Sequence, residues 1–206
     1  MAKVNAEKDT VTAARYRVKS YPTIMVLKPD GTEIDRVVGY YHPQEFMDQV
    51  QDYLAGKNTL ASYAAMEPDS GKDPGYLGRL AERYLYHGLT DEARTRYTKL
   101  IAMDPKNTSG LVDDALYNLA RMSRKEKNYD QDAAYAQQII DRYPDSDMYK
   151  SAILEKAGAL KRAEKLKQAR GIYLDYVKRF PGDEDAPWAQ EQADTLNARI
   201  QRGDGA

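Results

Sequence analysis

Tyr21-Pro22-Thr23-Ile24-Met25-Val26-Leu27 sets the architecture of the N-terminal region: a proline, an apolar run of strand length, then the turn Pro29-Asp30-Gly31. Proline presets φ in such a turn and glycine accepts positive φ, so the chain is expected to reverse there. A second strand is expected from Glu33 to Val38, followed by Gly39 and a helix opened by Pro43, whose missing N–H costs nothing in a first turn. On that helix Phe46, Val50 and Leu54 recur at helical spacing and are expected to face the strands, with Gly56 and Lys57 closing it. Upstream, Lys3-Val4-Asn5-Ala6 reads as the end of a buried strand and Asp9 to Tyr16 as a short helix. Extended runs alternating with helices make residues 1–56 a small α/β segment. Residues 57–74 carry Pro68, Ser70 and Gly71 and read as a linker.

From Gly75 the period changes. Helix-length stretches come in pairs, and each pair ends on a proline: Asp104-Pro105, Tyr143-Pro144 and Phe180-Pro181, with spacings of 39 and 37 residues. Repetition on that scale indicates stacked helical hairpins. The first pair carries Leu77, Leu80, Ala81 and Tyr84, then Ala93, Tyr97 and Leu100, with Gly88 at the turn. The second keeps Leu116, Leu119 and Ala120, then Ala136 and Ile139, but has Asp132 where the pattern wants a small apolar residue. The third keeps Ile153, Ala157 and Leu160, then Ala169, Tyr173 and Tyr176. Small residues let paired helices approach and large ones fill the space between hairpins. Asn107-Thr108-Ser109 and Asp145-Ser146-Asp147 are expected as helix N-caps. Ala189, Ala193, Leu196 and Ile200 form one apolar stripe, the signature of a terminal capping helix. The fold expected is mainly α: a helical-hairpin solenoid over 75–202, preceded by the small α/β segment.

The totals narrow the function. A formal charge of −1 and a pI near 6.2 argue against a general nucleic-acid binder. No stretch approaches the roughly 18 apolar residues of a membrane span, and no apolar signal-peptide core follows Met1. There is no cysteine, which removes disulfides, thiolate metal sites and cysteine nucleophiles together. His42 and His87 stand before a helix-opening proline and a turn glycine, so both are expected in solvent, and no metal site or cofactor is expected. No phosphate loop or nucleophile motif is present, and the chain as it stands is read as a non-enzyme.

From Lys3 through Tyr21-Pro22-Thr23 to Leu54, the order of elements resembles the thioredoxin family from its third strand to its last helix. The resemblance implies a cis proline at Pro22, facing the family's redox site, with Tyr21, Pro22 and Thr23 as a peptide-docking edge. The alternative is a turn that only directs the chain into its strand. The family's thiol pair is absent here. The hairpins from Gly75 resemble tetratricopeptide repeats of an elongated type common in bacterial envelope proteins, which implies a periplasmic or envelope location. The lysine–asparagine clamp of that family's chaperone-binding members is not matched, since Gly78 and Glu82 occupy the corresponding places.

In the repeat family the first helices line a concave groove, which implies roles for Tyr86 and Tyr117 and for the basic set Arg121, Arg124, Lys125, Lys161 and Arg162. Residues 111–182 hold 14 basic against 11 acidic side chains, a local excess that suits an acidic peptide or a terminal carboxylate. The competing reading is a solvated surface balanced by Glu126 and Glu155. The 17 tyrosines against 2 phenylalanines are explained largely by repeat packing. The expected function is therefore capture of a protein or peptide partner, beside a non-catalytic thioredoxin-like remnant. The rival is a fragment of a thiol–disulfide oxidoreductase whose Cys-x-x-Cys half lies upstream. Residues 1–55 alone are not expected to be an autonomous domain, because a two-stranded hairpin is marginal by itself.

Overall fold

The computed structural model describes residues 2–203, so Met1 and residues 204–206 of the expected segments lie outside it. Packing divides the chain into two compact units, one ending at Met103 and the other beginning at Asp104.

The first unit begins with α1 (Thr10–Arg15), capped by Asp9, whose carboxylate accepts from the Thr12 N–H at 2.9 Å. Strands β1 (Thr23–Leu27) and β2 (Glu33–Val38) pair antiparallel from Thr23 opposite Val38 to Leu27 opposite Glu33, with a bulge between Val26 and Leu27. Helix α2 (Pro43–Leu54) packs on both strands. It closes with Gly56 at φ +71°, where the Lys57 N–H reaches the Asp52 carbonyl and the Gly56 N–H that of Tyr53. That is the left-handed helix stop glycine permits. Residues 57–74, read as a linker, hold two short helices, α3 (Leu60–Ala65) and α4 (Glu67–Ser70). Helices α5 (Pro74–Tyr86) and α6 (Thr90–Met103) form the first hairpin, and α3 packs on α5.

A strand expectation and a helix-face expectation also fail in this unit. Residues Lys3 to Asn5 form no strand and Val4 is half exposed, because the sheet among the described residues has only β1 and β2 and offers nothing to pair with. Leu54 is 64% exposed, and Tyr53 takes the buried place on α2 at 5%. The buried stripe thus follows the i+3 rather than the i+4 step after Val50.

The second unit holds α7 (Val112–Lys125) and α8 (Tyr129–Arg142), then α9 (Tyr149–Arg162) and α10 (Leu166–Arg179), with α11 (Ala186–Gln201) as the last helix. Each helix packs on its successor, and the repeat residues singled out from the sequence are buried: Leu116, Leu119, Ala120, Ala136 and Ile139, then Ile153, Ala157, Leu160, Ala169, Tyr173 and Tyr176. Ala189, Ala193 and Leu196 of α11 close the core over α10, with Ile200 packed at its margin.

The turn within each hairpin uses one device. Gly88, Lys127 and Glu164 adopt φ of 67°, 61° and 58°, and the next residue's N–H reaches back to Tyr84, Ser123 and Leu160 respectively. Only the first is glycine, so the sequence marked one of three identical turns. The expected N-caps are displaced. Neither Leu111 nor Met148, the N-cap residues of α7 and α9, makes a side-chain cap bond. Instead Asn107 Oδ1 accepts from the Val112 N–H at 2.8 Å and Ser146 Oγ from the Met148 N–H at 2.9 Å, so the loops serve the helix donors from outside.

Candidate functional site

In the first unit, β2 buries three consecutive residues, Asp35, Arg36 and Val37, because both of its faces are covered. The Asp35 carboxylate accepts from His87 Nε2 at 2.9 Å, from its neighbour's Arg36 N–H at 2.7 Å and from the Leu60 N–H at 2.5 Å. Burial alone would raise the Asp35 carboxyl, but the bonds from His87, Arg36 and Leu60 outweigh it and hold it below the usual aspartate value. Arg36 grips Glu33 through Nε and Nη2, both at 2.6 Å, and donates to the Tyr16 and Tyr86 carbonyls. His87 is therefore not solvated as expected: it is 8% exposed, with Nδ1 3.4 Å from Glu33. Its preceding-a-glycine position put it in a turn, but that turn packs against the strand. Both ring nitrogens face carboxylates, Nε2 that of Asp35 and Nδ1 that of Glu33. The cluster ties strand, α1 and first hairpin together. His42 is exposed as expected.

A cavity of about 160 Å³ lies over this cluster, lined by Tyr41, Tyr53, Tyr63 and Tyr86 with Arg79 and Arg83. Arg83 stacks over the Tyr63 ring at 4.3 Å, and the Tyr86 hydroxyl donates to Glu82 at 2.6 Å. Tyr86, placed on the groove side by the repeat resemblance, is thus committed within its own unit. The Tyr21–Pro22 bond is cis, and the Pro22 carbonyl accepts from the Gly39 N–H at 2.9 Å. Tyr21 is 66% exposed, whereas Thr23 starts β1 and its hydroxyl donates to the Ser20 carbonyl.

The second unit has the larger cavity, about 460 Å³. Helix α7 supplies Tyr117 and Arg124, α9 supplies Glu155, Lys161 and Arg162, and α11 supplies Trp188 and Gln192. Gly158 lies on the wall, and a Cβ there would come 3.2 Å from Arg162 Nη1, so the bare backbone leaves the guanidinium room. Arg124 Nη1 donates to both oxygens of Glu155 at 2.6 Å, and Arg162 Nη1 stands 4.0 Å from the same carboxylate. Lys161 donates to the Gln192 amide oxygen at 2.7 Å, a neutral partner that leaves its charge unopposed there. Trp188, 45% exposed, meets the Tyr173 ring edge-on at 5.7 Å. Burial raises the Tyr117 phenol above its ordinary value, so it stays a neutral donor.

Of the six groove residues expected from the sequence, the structure brings Tyr117, Arg124, Lys161 and Arg162 to one cavity. Arg121 and Lys125 are exposed on α7, outside the cavity lining, and form no salt bridge among the described residues. Sequence reasoning missed Trp188, the only tryptophan of the chain, and Glu155, which it placed among solvated counter-charges although its side chain is 7% exposed. Trp188 lies beyond the third proline, where the repeat pattern gave no position to score. Asp132 is the larger surprise. It occupies the small-residue position at zero exposure, and neither carboxyl oxygen has a hydrogen-bond partner among the described residues. Burial, then the charge of Glu155, pushes its carboxyl up to about 7.

Among the described residues no helix is long and apolar enough to cross a membrane, and no group of three His, Cys, Asp or Glu could hold a metal ion. No curated protein matches the chain. Two family models do: that of a thioredoxin-like domain over residues 2–54, and that of the tetratricopeptide repeat over residues 79–147. The chain therefore joins a thioredoxin-like segment to tetratricopeptide repeats, and the repeats point to protein partners.

Proposed function

We propose that the second-unit cavity captures an acidic segment of a protein partner, and that the thioredoxin-like segment acts without redox chemistry of its own. One observation carries the reading: three cations, Arg124, Lys161 and Arg162, share a cavity with Tyr117, Tyr173 and Trp188. Aromatic and arginine side chains around a concave centre are what a binding hot spot needs. Charge steers an anionic segment and the rings supply contact area. Without cysteine, this chain cannot itself exchange disulfides.

Reversing charge at Arg121 and Arg124 is a poor test, since Arg121 lies off the cavity and Arg124→Glu would face Glu155. Lys161→Glu with Arg162→Glu is cleaner, because both heads reach the opening. Polarisation of a fluorescein-labelled tetraglutamate peptide is expected to show at least a tenfold loss of affinity in the double variant. Unchanged affinity would remove the cavity from the binding surface.

A second reading rests on the match over residues 2–54. On it, this chain is part of a thiol–disulfide oxidoreductase whose repeats hold clients, with Tyr21, Pro22 and Thr23 flanking the redox centre. An in-frame Cys-x-x-Cys coding segment upstream of Met1 in the source DNA would favour it, and an immediate upstream stop codon would end it.

A further inference from the structure

We infer that Asp132 and Glu155 hold one proton between them, and that this proton lets the cavity above them accept a partner carboxylate. The inference rests on the proposed acidic-segment reading and adds its control.

Asp132 sits in the first turn of α8, fully buried, with no donor for either oxygen. The side chain it can pair with is Glu155 of α9, another acceptor. A hydrogen bond between two carboxyl groups exists only when a proton sits on one of them, and two like charges at such a site do not both ionise freely. The protonated pair resolves the orphaned carboxyl: Asp132 donates to Glu155, and Glu155 accepts from Arg124.

The charges around the pair decide the ligand. Arg124 and Tyr117 face it from α7, and Glu155 and Arg162 from α9. With one proton held, the pair carries a single negative charge against the two guanidiniums of Arg124 and Arg162, and Lys161 adds a third cation at the wall. The imbalance favours an anion beside Arg162 and Lys161. With the proton lost, the pair carries two negative charges and matches the guanidiniums, so Lys161 alone remains in excess and an incoming carboxylate is held less strongly. The titration near neutrality places the change where it is useful, since the Asp132 carboxyl is pushed up to about 7. Carboxylate binding and proton uptake are thus linked, each strengthening the other.

A partner carboxylate can come from a glutamate or aspartate side chain or from a chain terminus, and two probes separate them. One is acetylated, amidated tetraglutamate; the other is acetylated tetra-alanine with a free C-terminus. Both stay ionised from pH 6.0 to 8.5. The emission of Trp188, the sole tryptophan, reports binding at this cavity alone. The expected result is binding about tenfold weaker at pH 8.5 than at pH 6.0 for whichever probe carries the recognised carboxylate. Asp132→Asn, neutral at both pH values, is expected to bind equally at both. Calorimetry of the wild-type protein at pH 7.5 in two buffers of different ionisation enthalpy is expected to show proton uptake on binding. Binding at equal strength across the range, a pH dependence kept by Asp132→Asn, or no proton uptake would overturn the shared-proton inference while leaving capture of acidic segments intact. No binding of either probe at pH 6.0 would overturn both.

Discussion

Asp35→Ala is expected to destabilise the first unit by about 3–5 kcal/mol, because it leaves three buried donors without their acceptor. The carboxylate it removes satisfies His87 Nε2 and the N–H groups of Arg36 and Leu60 at once. Alanine leaves all three donors buried beside it, while Arg36 still reaches the Tyr86 carbonyl and Glu33 still faces His87 across strand and hairpin. Hydrogen exchange is the direct readout, since the two-stranded sheet has little support of its own. Amides of β1 and β2 are expected to lose protection while those of α8 to α10 keep theirs. Equal protection in wild type and variant would show that the cluster is incidental to the fold. The pH dependence has a defined sign. The Asp35 carboxyl is held below its ordinary value in the folded state, so its contribution is present above the usual aspartate range and is lost as pH falls through it.

Asp132→Ala is expected to act in the opposite sense. A carboxyl raised to about 7 in the folded protein binds its proton more tightly there than in the unfolded chain, whose aspartate titrates near its ordinary value of 3.8. Stability from that proton is full below the lower value and disappears as pH rises through the upper one, a difference on the order of 4 kcal/mol. At pH 8 the wild type therefore carries a buried charge that alanine removes, and the variant is expected to be the more stable. At pH 5 the advantage shrinks or reverses, since alanine leaves a small void. Urea unfolding followed by Trp188 at both pH values checks this. A variant less stable than wild type at pH 8 would mean that the carboxylate is satisfied. The neighbouring loops do not blur the window: Asp183, bonded by Lys150 and Tyr176, is held down to about 2, and Asp104, bonded by Ser109 and Thr108, lies lower still.

The repeats were legible because their information is periodic. Alanine and leucine at helical spacing, with prolines 39 and 37 residues apart, can be read without knowing what they touch. The hairpin Ile24–Val38 was legible for the same reason, with Pro29-Asp30-Gly31 marking its turn. What escaped is information held between elements. Asp35 and Arg36 lie in a strand that looks half polar, and only packing against the first hairpin shows that both are buried. Lys127 and Glu164 stop helices in a conformation that sequence signals assign to glycine. Lys3 to Ala6 resembled a strand, but a strand requires a neighbour. In the cavity the cations were found by counting residues along helix faces, whereas Glu155 and Trp188 needed the third dimension.

Binding of acidic segments in the cavity between α7, α9 and α11 is the expectation on which the rest depends. Its most direct test is the amide and side-chain NMR spectrum of the isotope-labelled chain during titration with tetraglutamate at pH 6.0. Shifts are expected at Tyr117, Arg124, Gly158, Lys161, Arg162 and at the Trp188 indole, with Tyr21, Thr23 and the strands unmoved. Shifts centred on Tyr21 to Val38, with the Trp188 indole fixed, would contradict the claim and move the binding surface to the thioredoxin-like segment.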